Sequence, residues 1–182
     1  MSKEELLLYK GITNHREITK YQRKIRSLLY VVVITRLDIA FVVSQLSRFI
    51  INPRIKYYKG VDQVLLYLKN TRALALQFGE DDHFQVASNA LFVDNSIDRK
   101  SSQAYTMKLF GGVISWRASK QEMVTTSTIE AKLLALLQAA KEALFVSRLI
   151  KELKVKLDNN HIQIEYNNKQ TIQLVTKEIA IL

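Results

Sequence analysis

The chain has 182 residues, a formal net charge of +10, 48% hydrophobic and 24% charged residues. This composition excludes a disordered or low-complexity segment, and the lack of cysteine excludes disulfides and thiolate metal sites while fitting a reducing intracellular compartment. The basic surplus favours polyanions as partners, meaning nucleic acid or an acidic membrane surface. The N-terminal residues lack the basic and apolar regions of a secretory signal. The most apolar run, 28–34, falls far short of the roughly 20 residues needed to span a bilayer, so it reads as a buried helix segment and no membrane partner is expected.

In chain order, a first helix is expected over about 18–30. Asp38 is expected to cap a second helix, in which Ile39, Val42, Val43, Leu46, Phe49 and Ile50 make one apolar stripe by their spacings of three and four. Asn52-Pro53, with the chain's one proline, ends it. A third stripe joins Tyr57, Val61, Val64, Leu65 and Leu68. Past Thr71 the period shortens. Strands are expected over 74–78, 84–92, 104–110 and 113–116, the last two joined by a hairpin turn at Gly111-Gly112. A long helix follows over about 128–153, with Leu133, Leu137, Ala140 and Leu144 on its apolar line. A strand over 162–166 and a short helix from Asn168 complete the order. The expected fold class is α/β. A helical segment (1–72) precedes a mixed sheet with flanking helices (73–182), its first strands antiparallel and the 162–166 strand joined in parallel through the long helix.

Five ordered stretches are similar to the C-terminal part of the Pol polyprotein of copia-type LTR retrotransposons. RSLLYVVVITRLDIAFVVSQLSRFIINP (26–53) resembles GSLLYL…TRPDIAFAVSxLSRF, and VLLYLKNT (64–71) resembles VLRYLKGT. DRKSSQAY (98–105) is similar to DRKSTSGY. GGVISWRASKQEMVTTSTIEAKLLAL (111–136) resembles GGxIxWxSKKQxTVxxSSTEAExxAL, and YNNKQTI (166–172) resembles CDNQxxI. The resemblance implies a polymerase connection segment followed by a ribonuclease H-like domain. No paired-aspartate hairpin motif of a polymerase core occurs in the first half.

Such a domain cleaves the RNA strand of an RNA–DNA hybrid with two Mg²⁺ ions, which activate water and stabilise the leaving oxygen. Mg²⁺ prefers hard oxygen ligands, so several carboxylates must converge. The family's strand aspartate (SDAS) falls on Asn89 in SNAL, and its helix glutamate (STEAE) falls on Glu130 in TIEAK. The aspartate of DNQ falls on Asn167, and the chain stops at Leu182 before the family's last acidic position. Each aspartate-to-asparagine change removes a unit charge worth roughly 4 kcal/mol per unit charge pair at about 4 Å and an effective dielectric near 20. The resemblance therefore implies a ribonuclease H-like fragment with a lost catalytic site and no cofactor expected, in place of the family's Mg²⁺.

Plainer readings stand beside these. Ser127 and Glu130 form S-x-x-E, a capping box that suits a helix start. Asn89 suits a solvent-facing strand position, and Asn167 and Asn168 suit a turn or helix cap. Lys20, Arg23, Lys24 and Arg26 form one basic cluster. Arg99, Lys100, Arg117 and Lys120 form another, flanking the expected hybrid-binding face, where Ser101, Ser102 and Gln103 are candidates to bond a nucleic-acid backbone. Trp116 reads as core. The three histidines match no metal-ligand spacing. Ala104 replaces a family glycine and costs about 1 kcal/mol if that position needs positive φ. Three functions compete: a degenerate retroelement product, a non-catalytic nucleic-acid-binding module and a residual Mg²⁺-dependent ribonuclease H. Oligomeric state is not legible.

Overall fold

A computed structural model of the chain describes residues 11, 13–79, 83–94, 98–157 and 162–166. It divides into two compact units, residues 1–76 and 77–182.

The first unit is helical. Helix α1 (His15–Ile34) starts at Asn14, whose side chain accepts from the Arg16 N–H, and buries Tyr21, Ile25, Leu28 and Val32. These four lie on one stripe, which is why the helix extends beyond the expected 18–30. A 3₁₀ turn (Leu37–Ile39) leads into α2 (Ala40–Ser47), which buries Val43 and Leu46. Helix α3 (Ile55–Asn70) buries Tyr57, Val61 and Val64, while Leu65 is exposed. The Tyr21 hydroxyl donates to the Leu46 carbonyl at 2.8 Å, so its burial leaves no orphan donor. Tyr57 stacks on Phe49 with ring centroids 4.0 Å apart.

Asp38 does not cap α2, whose N-cap is Ile39 with no side-chain hydrogen bond. Its carboxylate accepts from Arg36 Nε at 2.9 Å, Arg36 Nη2 at 2.7 Å and the Tyr67 hydroxyl at 2.9 Å. Arg36 is buried and also donates to the Thr71 carbonyl and hydroxyl. A two-pronged charged pair outcompetes a single backbone N–H for the same carboxylate. The hydrogen bond from Arg36 holds the Asp38 carboxyl below its ordinary range.

The second unit is a mixed α/β layer: a four-stranded sheet ordered β3-β2-β1-β4 with α4 (Thr128–Glu152) packed on it. Strands β1 (Gln85–Leu91), β2 (Ser102–Leu109) and β3 (Gly112–Lys120) pair antiparallel in sequence. Strand β4 (Gln163–Tyr166) joins β1 in parallel. The hairpin turn is Phe110-Gly111 (φ +53° and +72°), not Gly111-Gly112. Two successive positive φ values match the strand twist of a tight hairpin. Gly112 serves a different need. A Cβ there would lie 2.3 Å from the Phe78 ring and 2.4 Å from the Gln77 carbonyl oxygen, so its bareness allows the preceding chain to pass close by. Residues 74–78, expected as a strand, form no ladder; the adjacent Gly79 N–H donates to the Phe110 carbonyl at 2.7 Å.

Helix α4 turns a different face inward than its leucines suggest. Ala131, Ala135, Ala139, Ala143 and Ile150 are buried, while Leu137 and Leu144 are 51% and 52% exposed. The strands fill the interface with Phe84, Val86, Tyr105, Met107 and Leu109, leaving room only for small residues from the helix. Ala104 sits in β2 opposite Asn89 and is not among the left-handed residues, so the expected cost of a positive φ at this alanine does not arise.

Candidate functional site

The candidate site begins with the alternation of β1. Val86, Ser88 and Ala90 turn toward α4; Asn89 and Leu91 are exposed on the other, outer face. The Asn89 side-chain carbonyl accepts from the Ala90 N–H at 2.8 Å. Asn89 helps line a shallow depression of about 250 Å³ with Ala87, Ala104, Thr106 and Glu165. The register places Glu165 beside Ala87, so this carboxylate shares the outer face with Asn89. The alternation of the 162–166 strand held the signal for Glu165, which no family motif marks.

Glu130 stands in the first turn of α4. Its N–H donates to Ser127 Oγ at 3.1 Å, one half of the expected capping box. The other half is shifted by one residue: Glu130 Oε2 accepts from the Thr126 N–H at 2.6 Å and the Thr126 hydroxyl at 2.8 Å. The hydrogen bond from the Thr126 N–H, then that from its hydroxyl, hold the Glu130 carboxyl below its ordinary range. The carboxylate thus already serves the helix start.

Neighbours of these positions pack together, although Asn89 itself faces away from α4. Ala90, next to Asn89, is buried in one cluster with Ala131, next to Glu130, and Ala135. Tyr166 pairs with Ser88, the residue before Asn89. Asn167 and Asn168 lie outside the described residues.

A buried polar corner fixes this strand–helix junction. Ser101 is fully buried; its hydroxyl accepts from the Val93 N–H at 3.1 Å and lies 3.1 Å from Thr125 Oγ1. Gln121 N donates to the Ser101 carbonyl, and Gln121 Nε2 donates to the Ala131 carbonyl at 2.7 Å. Ser102, also buried, donates to Asp94 at 2.6 Å. Ser101 and Ser102, candidates for backbone contacts, are thus committed inside the protein. Val93 holds φ +48°, a strained value for a β-branched residue, at the exit of β1.

The four basic candidates do not form one face. Lys120 pairs across with Ser102 and Arg117 with Tyr105, three positions apart on β3, so they project to opposite sides of the sheet. Lys120 is ion-paired with Asp98, which also accepts from the Lys100 N–H at 3.2 Å. Desolvation works to raise the Asp98 carboxyl, but the bonds from Lys120 and Lys100 leave it lowered. The Lys100 amine donates to the Glu122 carbonyl. Arg99 is exposed with φ +55°. Trp116 is half-buried on the outer face, opposite Thr106. Among the described residues, no group of three or more His, Cys, Asp or Glu is placed to hold a metal, and no helix is long and apolar enough to cross a membrane.

No protein-family model matches the chain. It is 37% identical over 134 residues, 73% of its length, to the retrovirus-related Pol polyprotein from transposon TNT 1-94 of Nicotiana tabacum, covering 10% of that protein. It is 29% identical over 155 residues to the corresponding polyprotein from transposon RE1 of Arabidopsis thaliana, 84% of this chain and 10% of that one. It is also 32% identical over 129 residues to secreted RxLR effector protein 161 of Plasmopara viticola, spanning 70% of this chain and 91% of that protein. The chain therefore spans about a tenth of the length of these polyproteins.

Proposed function

We propose that this chain is a fragment of a retrovirus-related Pol polyprotein from a transposon, the kind of protein it is similar to, and that its second unit is a copia-type ribonuclease H-like domain that has lost catalysis. The observation that carries this reading is the junction of β1, α4 and β4. Asn89 and Glu130 each adjoin a member of one packed alanine cluster, and the residue before Asn167 pairs with the residue before Asn89. A strand, a helix start and a parallel strand meet here at the level of the backbone, while the Asn89 side chain lies on the face of the sheet opposite α4. The side chains at the three positions are two amides and one carboxylate.

These residues do not fit a pair of Mg²⁺ ions. An amide oxygen is a neutral donor, and two dications near each other require several compensating negative charges. Glu130 alone supplies one, and its oxygen is bound by Thr126. Glu165 adds a carboxylate on the outer face, in a position no family motif assigns. The three side chains therefore offer no route to hydrolysis through a metal-activated water.

The test has two arms. The wild-type chain, incubated with Mg²⁺ and an RNA–DNA hybrid, is expected to leave the RNA intact; Mg²⁺-dependent cleavage abolished by Glu130→Ala would overturn the loss. The Asn89→Asp/Asn167→Asp variant is expected to gain a Mg²⁺-dependent rise in thermal midpoint that the wild type lacks. A folded double variant without that rise removes the site assignment.

A further inference from the structure

The charge of the chain is not where the candidate site is. Residues 1–76 hold 14 Lys and Arg against 5 Asp and Glu, a net of +9, whereas residues 77–182 hold 13 against 12, a net of +1. Nearly the whole surplus that favours a polyanion belongs to the helical unit.

Within that unit, α1 sorts its charges by face. The buried stripe of Tyr21, Ile25, Leu28 and Val32 faces inward. Lys20 and Lys24 are paired with Glu17 and Asp62. Arg16, Arg23 and Arg26 are exposed, and among the described residues none of the three has an ion-pair partner. At 3.6 residues per turn they follow the outward side of the helix, and the same line runs on to Tyr30, one turn beyond Arg26, and then to the exposed Ile34 at the helix end. Tyr30 is 70% exposed. By contrast, two of the four basic candidates of the sheet unit are engaged by neighbouring oxygens, and two of the four lie on opposite faces.

We propose that the outward face of α1, with Arg16, Arg23, Arg26 and Tyr30, is a binding site for single-stranded nucleic acid. Arginine guanidiniums present rigid donor forks suited to phosphate oxygens and hold their charge at every relevant pH. An exposed aromatic ring in line with them offers a stacking surface for an unpaired base, which a duplex keeps within its own stack. This site shares no residue with the β1–α4 junction, and its binding does not depend on the ribonuclease H-like reading.

Fluorescence anisotropy of the full chain with a labelled oligothymidylate of about 20 nucleotides, across a salt series, tests it. The wild type is expected to bind with an affinity that falls steeply with salt. Arg16→Glu/Arg23→Glu/Arg26→Glu is expected to weaken binding by about ten-fold or more and to reduce the slope of log K against log salt by about 2, as loss of three single-strand phosphate contacts requires. Tyr30→Ala is expected to weaken binding by about ten-fold with the salt slope unchanged. Arg99→Ala/Lys100→Ala/Arg117→Ala/Lys120→Ala is expected to stay within about two-fold of wild type. Circular dichroism checks that each variant is folded. Absence of salt-dependent binding by the wild type overturns the proposal, as does loss confined to the sheet-unit variant. A Tyr30→Ala variant that binds like wild type removes the single-strand assignment. Binding of the wild type to phosphatidylserine vesicles but not to the oligonucleotide identifies a lipid surface instead and likewise overturns it.

Discussion

The two units of this chain fill their interiors in opposite ways. In the helical unit the helices themselves carry the bulk: Tyr21, Ile25, Leu28, Leu46 and Tyr57 are fully buried, and the Tyr21 phenol reaches a backbone carbonyl on α2. In the sheet unit the strands carry the bulk and the helix supplies alanines. A helix against helices needs large side chains to fill the grooves between cylinders. A helix lying on a sheet already furnished with Phe84, Tyr105 and Met107 must come close and contribute little volume. The units differ in charge as well, +9 against +1, so the basic surplus of the chain lies almost wholly in the helical one.

The largest effect that would break this contrast is Tyr57→Ala. Removing a fully buried ring stacked on Phe49 should cost about 3–5 kcal/mol in urea denaturation; a cost under about 1 kcal/mol would mean the bulk of the helical unit lies elsewhere. Next comes Ala139→Leu in the sheet unit, expected to cost about 1–3 kcal/mol by overpacking a position with no room, whereas Leu144→Ala on the same helix should change stability by less than about 1 kcal/mol. The reverse order would place the leucine face, not the alanine face, against the sheet.

Asp38→Asn should destabilise by about 1–2 kcal/mol near neutral pH, because it weakens the partner of a buried guanidinium while Asp38 itself stays partly solvated. The Asp38 carboxyl is held below its ordinary range, so its contribution is full above the unfolded carboxylate pKa and is lost as pH falls through the folded one. Stability curves of wild type and variant should therefore converge below about pH 4. Parallel curves at all pH values would deny the charged pair its role. The smallest expected effect is a gain. Ser88 Oγ is buried on β1 with no hydrogen-bond partner among the described residues, so Ser88→Ala should stabilise by about 1 kcal/mol. A loss of similar size would reveal a bound water or another partner for this hydroxyl.

Much of the element order was legible in the sequence. The stripes Tyr57–Val61–Val64 and Ile39–Val43–Leu46 are buried as their spacing requires, and the strand alternation around Val86 and Ala90 is kept. Legibility failed where a residue had two competing uses. Asp38 could cap a helix or grip Arg36, and only the folded position of Arg36 beside Thr71 and Tyr67 decides for the pair. Residues 74–78 alternate like a strand, yet they pass beside Gly112 of β3 without forming a ladder, a pairing outcome that local pattern does not encode. For the candidate site, motif order marked Asn89 and Glu130 by type. It did not mark Glu165, nor that Thr126 would occupy the Glu130 carboxylate.

What the sequence determined by itself is what depends on neighbours a few residues away: helix periods, the Ser127 cap and the net charge. What only the tertiary structure decided is what depends on which surfaces meet. Helix α4 has an alanine face and a leucine face, both apolar and both periodic. The alanine face won because the strands beneath it had already filled the space that leucines would need.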